Sequence, residues 1–202
     1  MNILAIGAHP DDVEYGCAGT LIQHVQRGDN VFIMIITGGA QGGDPEIRRQ
    51  EQLAAAKIIG ATDTFFGGYD DTQFECHQES IMAIEAVIKQ TKADSVYTHF
   101  GEDTHQDHRH IARAVVPAAR SVRNLLFFEG FSSQHFDPSL FVDIGYVIHQ
   151  KRGALEAHAS QISRTNIEQM NIVDISQSVA HFRGIQGRVT HAEGFVPVRY
   201  FM

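Results

Sequence analysis

Unbroken apolar runs of strand length recur along the chain. The first begins at Ile3 and stops at the small residues Gly7 and Ala8, and a second, VFIMIIT, spans Val31–Thr37. Runs without polar alternation are typical of parallel strands that are buried on both faces. Further strands are predicted at Thr64–Gly67, Ser95–Phe100, Leu125–Glu129, Leu140–Ile144 and Phe195–Phe201.

Segments with helical spacing of apolar residues separate these runs. Pro45–Ile59 carries clear end signals, because Asp44 is a suitable N-cap, proline is favoured at the first helical position, and Gly60 follows the last turn. Other helices are predicted at Glu14–Arg27, Glu79–Lys89, Arg109–Arg123, Gly145–Gln161 and Ser178–Arg188. This alternation predicts an α/β fold: a Rossmann-like open, mainly parallel sheet with helices on both faces, in three α/β/α layers. Residues 1–202 are expected to form a single domain.

Two of the predicted strands are followed by clusters of histidine and aspartate. His9-Pro10-Asp11-Asp12 follows the first strand, and THQDHRH at residues 104–110 follows the strand at Ser95–Phe100. A turn and a helix cap would explain either cluster alone. Because the carboxyl ends of parallel strands meet at one sheet edge, where open α/β sheets place their ligands, we expect the two clusters to share a site.

The residue types in these clusters are those of an open catalytic metal site. His9 and Asp12 are an imidazole and a carboxylate three residues apart, and they supply two of the three protein ligands that catalytic zinc requires. The third ligand must come from elsewhere in the chain. The second cluster offers imidazoles, a carboxylate that can fix a histidine tautomer, and a further histidine that can donate a proton.

Composition narrows the choice of partner and compartment. The formal net charge is −8, and the sequence contains no run of lysine or arginine, so a nucleic-acid or anionic membrane partner is not expected. Cys17 and Cys76 form neither a disulfide framework nor a C-x-x-C pair, and no apolar stretch reaches the roughly 18 residues of a membrane span. We expect a cytoplasmic protein with a small-molecule substrate. The glycine-rich loop Gly38–Asp44 is not a dinucleotide fingerprint, because the G-x-G-x-x-G spacing directly after the first strand is absent. Nucleotide binding is disfavoured because His9-Pro10-Asp11 occupies the turn that would hold the phosphate.

The motif Ala8-His9-Pro10-Asp11-Asp12-x-Glu14, together with His105-x-Asp107-His108, resembles the LmbE-like (PIG-L) family of zinc-dependent de-N-acetylases. Three further stretches match the family: Arg48-x-x-Glu51, Ala157–Gln161 and Ala192–Phe195. The likeness covers most of the chain. One departure is Gln106, because the family commonly has proline at this position.

The resemblance implies a reaction and a role for each motif residue. The reaction is removal of an N-acetyl group from an N-acetylglucosamine-type sugar or sugar conjugate, by attack of a zinc-bound hydroxide on the amide carbonyl. The ligands implied for zinc are His9, Asp12 and His108, and Asp11 is the implied general base. His105 is implied as proton donor or oxyanion stabiliser, Asp107 as the residue that orients it, and Arg48 as a contact for the polar or anionic tail of the substrate.

Several alternatives stay open from the sequence. Fe²⁺ or Co²⁺ suits the same ligand set, since affinity order alone does not choose the metal. The same site would serve an amidase acting on another amide, such as a thiol conjugate, or a metal-binding module without turnover. The resemblance is also compatible with a homo-oligomer, a trimer or hexamer. His99 is interpreted as a surface or satisfied core residue, and packing or a backbone hydrogen bond explains His158 and His191.

Overall fold

The computed structural model describes residues 1–165 and 167–201, which form seven strands and six helices. The strands are β1 (Asn2–Gly7), β2 (Asn30–Thr37), β3 (Asp63–Tyr69), β4 (Ser95–His99), β5 (Asn124–Phe128), β6 (Leu140–Asp143) and β7 (Ala192–Arg199). The helices are α1 (Asp12–Gln26), α2 (Pro45–Ile59), α3 (Gln78–Thr91), α4 (Gln106–Ala118), α5 (Ile148–Glu156) and α6 (Ile172–Gly187).

The strands pair in one sheet in the order β3-β2-β1-β4-β5-β7-β6. The pairs from β3 to β5 are parallel, whereas β7 runs antiparallel to both β5 and β6. The sequence order reverses at β1, since β2 lies on one side of it and β4 on the other. Such a switch point leaves a crevice at the carboxyl ends of the two diverging strands, where ligands bind in open α/β sheets. The predicted α/β fold is confirmed.

The sheet separates two hydrophobic cores, and the two-residue period of a strand explains how. Ile3 and Ala5 of β1 pack in the core beneath α1, α2, α5 and α6, while Leu4 and Ile6 pack in the core beneath α3 and α4. All four side chains are fully buried. Both faces of β1 are therefore apolar, which accounts for its unbroken apolar sequence.

Helix α4 begins three residues before its predicted start at Arg109. His105 is its N-cap, and the Nδ1 atom of this residue accepts a hydrogen bond from the Asp107 amide at 3.2 Å. Asp107 and His108 consequently lie in the first helical turn, where the helix fixes their separation and direction. The predicted bounds of α2 are confirmed, with Asp44 capping the amides of Glu46 and Ile47.

The predicted helix Gly145–Gln161 is wrong at both ends, because α5 spans only Ile148–Glu156. At the carboxyl end, the Glu51 carboxylate accepts hydrogen bonds from the Ser160 amide at 2.8 Å and its hydroxyl at 2.7 Å. The helical pattern has already ended at His158, whose amide donates to the Leu155 carbonyl at 3.0 Å, and Ser160 is then held against α2. At the other end, a turn closed by Val147 N–H donating to Ile144 C=O precedes the first helical residue.

The last helix and strand also differ from their predicted bounds. Helix α6 starts six residues before Ser178, because Asn171 caps it by accepting the Asp174 amide at 2.9 Å. Strand β7 lies three residues earlier at its start than the predicted Phe195–Phe201, since Ala192 and Glu193 pair with β6. Within the described residues, none of the helices combines the length and hydropathy needed to cross a membrane.

Candidate metal centre and active site

The turn between β1 and α1 carries the first cluster. Pro10 lies three residues after the end of the strand at Gly7, and Asp11 adopts a left-handed conformation with φ 104°. This turn brings Asp12 back toward the strand end, where its Oδ2 atom accepts the His9 amide at 2.7 Å. His9 and Asp12 therefore lie on the same side of the turn, as the three-residue spacing predicts.

The Asp12 carboxylate joins the two clusters. Its Oδ2 atom lies 3.3 Å from His9 Nδ1, and its Oδ1 atom lies 3.4 Å from His108 Nε2. The His9 and His108 ring centroids are 5.6 Å apart. The structure thus brings together the three residues that the family resemblance implies as metal ligands, although two come from the connection between β1 and α1 and the third from the first turn of α4.

The second nitrogen of each of these rings lies against a buried carboxylate. His9 Nε2 is 3.1 Å from both Asp71 Oδ1 and Asp107 Oδ2, and His108 Nδ1 is 3.2 Å from Asp103 Oδ2. Carboxylates accept hydrogen bonds, so His9 carries a proton on Nε2. Its Nδ1 lone pair is then directed toward Asp12 when the ring is neutral. A carboxylate behind each ring is the arrangement that orients metal-ligating histidines.

Asp71 and Asp103 were missed by sequence reasoning. Asp71 follows β3, and Asp103 follows β4 by four residues, so each lies beyond a strand end at the edge that holds the site. Asp103 is also anchored by the amide of His105 at 2.8 Å and the hydroxyl of Ser132 at 2.6 Å. Their position after parallel strands was the available signal, but isolated aspartates after strands are common in turns.

His99 is fully buried and belongs to the site rather than to the general core. Its ring stacks on that of His108, with centroids 3.9 Å apart and planes at 13°. Its Nε2 atom lies 3.0 Å from the Ala8 amide nitrogen and 3.2 Å from Asp12 Oδ2. Burial and the neighbouring His108 lower the pKa of His99 to about 4, so the ring is neutral at physiological pH.

Asp107 was expected to orient His105, and the structure assigns its carboxylate a different partner. That carboxylate accepts His9 Nε2 and the Thr72 amide, the latter at 2.9 Å. Asp107 contacts His105 through its main-chain amide instead. The physical reason is helical: Asp107 lies in the first turn of α4, so its side chain is directed toward β1 while its amide faces the N-cap.

Arg48 is buried, with 4% of its surface exposed, and its guanidinium group donates hydrogen bonds to neighbouring loops. Its Nη2 atom donates to the Pro10 carbonyl at 2.6 Å and to Asp11 Oδ2 at 3.3 Å, and its Nη1 atom donates to the Gly39 carbonyl at 2.8 Å. Arg48 also lines the cavity described below. Contact with substrate stays a prediction, whereas the two hydrogen bonds to Pro10 and Asp11 assign Arg48 a role in holding the β1–α1 turn, and the third joins it to the loop after β2.

The local electrostatics distinguish Asp11 from its neighbour. Burial and the adjacent Asp12 raise the pKa of Asp11 to about 6, against the lowering effect of Arg48. Burial raises the pKa of Asp12 less than His108 and His99 lower it, so this carboxyl is held well below its usual range. Asp12 is therefore ionised, as a metal ligand must be, while Asp11 can exchange a proton near neutral pH.

His105 provides a hydrogen-bond donor of defined tautomer. Its ring lies 4.7 Å from the His9 ring and 4.6 Å from the His108 ring, measured between centroids. Burial and the two neighbouring histidines lower its pKa, which favours the neutral ring. Because Nδ1 accepts the Asp107 amide, the proton of the neutral ring is on Nε2.

A cavity of about 620 Å³ opens onto this cluster. The residues that line it include the members of both clusters and side chains from other segments: His9, Asp11, Asp12, His105, His108, Phe131, Arg164 and Ile172. This volume is within the range of small-molecule sites and accommodates a sugar ring with a substituent.

The donor set fits a divalent cation. His9 Nδ1 and His108 Nε2 lie within 3.4 Å of Asp12 oxygens, yet neither contact has hydrogen-bond geometry among the described residues. Burial lowers the pKa of His9, but Asp107, Asp12 and Asp71 outweigh it and raise the pKa well above its usual value. The same concentration of negative charge favours a cation, and two imidazoles with one carboxylate suit Zn²⁺.

Comparison with known proteins finds relatives that are named deacetylases. The family model described as PIG-L, GlcNAc-PI de-N-acetylase, matches residues 4–119. The "Uncharacterized deacetylase YaiS" of Escherichia coli is 35% identical over 168 residues, covering 79% of this chain and 91% of that protein. The diacetylchitobiose deacetylase of Thermococcus kodakarensis is 27% identical over 226 residues, covering 97% of this chain and 83% of that protein.

A solved structure of similar shape is the conserved protein TT1542 from Thermus thermophilus, with a TM-score of 0.89 and 26% identity. The alignment covers 100% of this chain and 97% of that one. The family match includes both histidine and aspartate clusters, most of β1, and all of β2, β3 and β4. The chain belongs to the PIG-L (LmbE-like) family, whose related members include deacetylases.

Proposed function

We propose that this protein is a zinc-dependent N-deacetylase that releases acetate from an N-acetylglucosamine-type sugar or sugar conjugate. The observation that carries the proposal is the convergence of His9 Nδ1 and His108 Nε2 on the two oxygens of the Asp12 carboxylate. Asp11, with its raised pKa, lies directly beside this point in the sequence and in the cavity. Relatives named deacetylases support the reaction class.

His9, Asp12 and His108 would hold the metal. When bound, zinc acts as a Lewis acid and lowers the pKa of a coordinated water to about 7. Asp71 and Asp107 keep the His9 proton on Nε2, and so keep the Nδ1 lone pair available. Asp103 lies behind the other ring, 3.2 Å from His108 Nδ1.

Asp11 and His105 would move the protons of the reaction. An Asp11 carboxylate with a pKa of about 6 accepts the proton that the attacking water loses. The Nε2–H of His105 donates to the oxygen or nitrogen on which negative charge develops as the amide is cleaved. The amine leaves with a proton from His105 or from the protonated Asp11. Arg48 would keep the Asp11 carboxylate beside the water through the 3.3 Å contact to Oδ2.

Elemental analysis followed by an acetate-release assay tests the proposal. We expect one equivalent of zinc per chain, and acetate release from N-acetylglucosamine or diacetylchitobiose by the zinc-loaded protein. An His108→Ala variant is the control, since it should lose both metal and activity. Zinc-loaded protein that releases no acetate from a broad panel of N-acetylated sugars would contradict the proposal. Release of an amine without acetate from other amide conjugates would instead favour an amidase.

A further inference from the structure

The main chain at Asp11 is strained. A non-glycine residue with φ 104° and ψ −26° lies in the left-handed region, where side-chain crowding costs free energy. Such a conformation persists when surrounding contacts determine it. The Asp11 carbonyl accepts the Tyr15 amide of α1 at 2.9 Å. The side-chain contacts to this residue come from α2, where Arg48 and Gln52 lie one turn apart on the same helix face.

Gln52 contacts the Asp11 main chain directly. It is fully buried, and its Oε1 atom accepts the Asp11 amide at 3.4 Å while its Nε2 atom donates to Glu14 Oε1 at 2.7 Å. Because the Glu14 carboxylate accepts hydrogen bonds, the amide group of Gln52 must present its NH₂ group to Glu14. Its carbonyl oxygen is then directed to Asp11.

Glu14 is held in place from its other side. The side chain is fully buried, and Oε2 lies 3.4 Å from Nε2 of His158, which is also fully buried. Among the described residues, neither ring nitrogen of His158 has a partner with hydrogen-bond geometry, and its Nε2 atom faces the Glu14 carboxylate at ion-pair distance. His158, Glu14, Gln52 and Asp11 thus form a connected series that ends at the strained residue.

We propose that Gln52 is a positioning residue for Asp11, held in the required amide orientation by Glu14. This inference rests on the deacetylase function proposed above, in which the Asp11 carboxylate accepts a proton. Arg48 holds the carbonyl side of the turn through Pro10, and Gln52 holds its amide side. With both contacts present, the Asp11 side chain is directed into the cavity rather than away from it.

The test is Gln52→Met, which keeps the chain length and removes both hydrogen bonds. We expect kcat to fall about 10- to 100-fold with KM changed by less than about twofold, since misplacement of a reacting group affects turnover more than binding. Zinc content should not change. Gln50→Met is the matched control, because Gln50 is exposed on the same helix and bonds only to Glu46 at 2.8 Å among the described residues, and it should keep wild-type kcat.

A structural readout separates this inference from the proposed function. In Gln52→Met, a crystal structure should show residue 11 outside the left-handed region, and its amide should exchange at least about tenfold faster. Unchanged φ, amide exchange and kcat would overturn the inference. If the wild type releases no acetate, the deacetylase proposal fails, while φ and amide exchange still decide whether Gln52 holds Asp11.

Glu14→Gln covers the case in which Gln52→Met does not fold. A glutamine at position 14 can donate or accept, so the Gln52 amide loses its enforced orientation. We expect the same loss in kcat and the same faster exchange at Asp11, both smaller than in Gln52→Met. Wild-type kcat and exchange in Glu14→Gln would overturn the proposed orientation by Glu14.

Discussion

Helix α1 contacts two buried clusters of charged side chains, and the clusters differ in how their charges are balanced. Around its middle, Lys151 donates to Glu193 Oε1 and to the Tyr15 carbonyl, both at 2.6 Å. Glu193 also accepts the Gly19 amide at 2.9 Å and the Thr20 amide at 2.7 Å. Each charged group of this cluster therefore meets a group of opposite polarity.

The cluster at the amino end of α1 is unbalanced. The imidazole nitrogens of His9 and His108 approach Asp12 without hydrogen-bond geometry, and three further aspartates surround them: Asp71, Asp103 and Asp107. Burial of such a group of acceptors is costly unless a cation joins them. The Lys151–Glu193 cluster is therefore balanced by its own hydrogen bonds and ion pair, whereas the cluster at Asp12 has the surplus negative charge of a candidate cation site.

Asp11→Asn should have the largest effect and should act on the reaction alone. The amide cannot accept a proton as the carboxylate does, so we expect kcat to fall by about 10²- to 10⁴-fold. Zinc content and melting temperature should remain those of the wild type, because Asp11 is not among the proposed ligands. Acetate release, elemental analysis and thermal melting measure these three quantities. Activity within a few fold of wild type would remove Asp11 from the mechanism.

In contrast to Asp11→Asn, Lys151→Met should lower the stability of the fold and leave the zinc content of the folded chain unchanged. It leaves Glu193, which is 5% exposed, without its positive partner, and we expect the free energy of unfolding to fall by about 3–5 kcal/mol. Denaturant titration measures the change, and zinc content per folded chain is the control. The double variant Lys151→Met/Glu193→Gln should recover part of the lost free energy of unfolding, since it removes the unpaired negative charge of Glu193. A loss below about 1 kcal/mol would show that the ion pair is not structural.

Removing zinc should lower the free energy of unfolding, and this loss should depend on the cluster at Asp12 and not on the Lys151–Glu193 cluster. A ligand that binds the folded state at a hundredfold excess over its Kd stabilises it by about 2.7 kcal/mol. We therefore expect a chelator to lower the melting temperature and added zinc to restore it. The shift should disappear in Asp12→Ala and persist in Lys151→Met. A shift that persists in Asp12→Ala would assign the metal to another site.

The site residues that could be predicted from the sequence are those whose spacing within a short segment brings them together. His9 and Asp12 share one turn, and His105, Asp107 and His108 share one helix start, so spacing alone brings each set together. The strands that deliver them are buried on both faces and therefore have unbroken apolar sequences. Their meeting followed from the topology of a parallel sheet.

The residues that sequence reasoning did not identify are held by contacts between segments distant in the chain. Asp71 lies 62 residues from His9, and Ser160 lies 109 residues from the Glu51 carboxylate that binds it beyond the end of α5. Gln52 has no distinguishing pattern in α2, because a buried glutamine and an exposed one have the same local sequence signals. Such partners are set by strand register and helix packing, which periodicity does not encode.

The smallest predicted effect concerns the strained main chain at Asp11. Two variants without the carboxylate measure the free-energy cost of the left-handed conformation apart from any effect of the charge. Asp11→Gly and Asp11→Ala both remove the carboxylate, but glycine adopts φ 104° without side-chain crowding. We expect the glycine variant to be more stable by about 1 kcal/mol, measured by denaturant titration. The same pair at exposed Gln50 in α2 should show the reverse order by about 1 kcal/mol, since glycine is unfavourable inside a helix. If alanine is also the more stable residue at position 11, then the turn relaxes at no cost, and the hydrogen bonds from Arg48 and Gln52 are not needed to hold it.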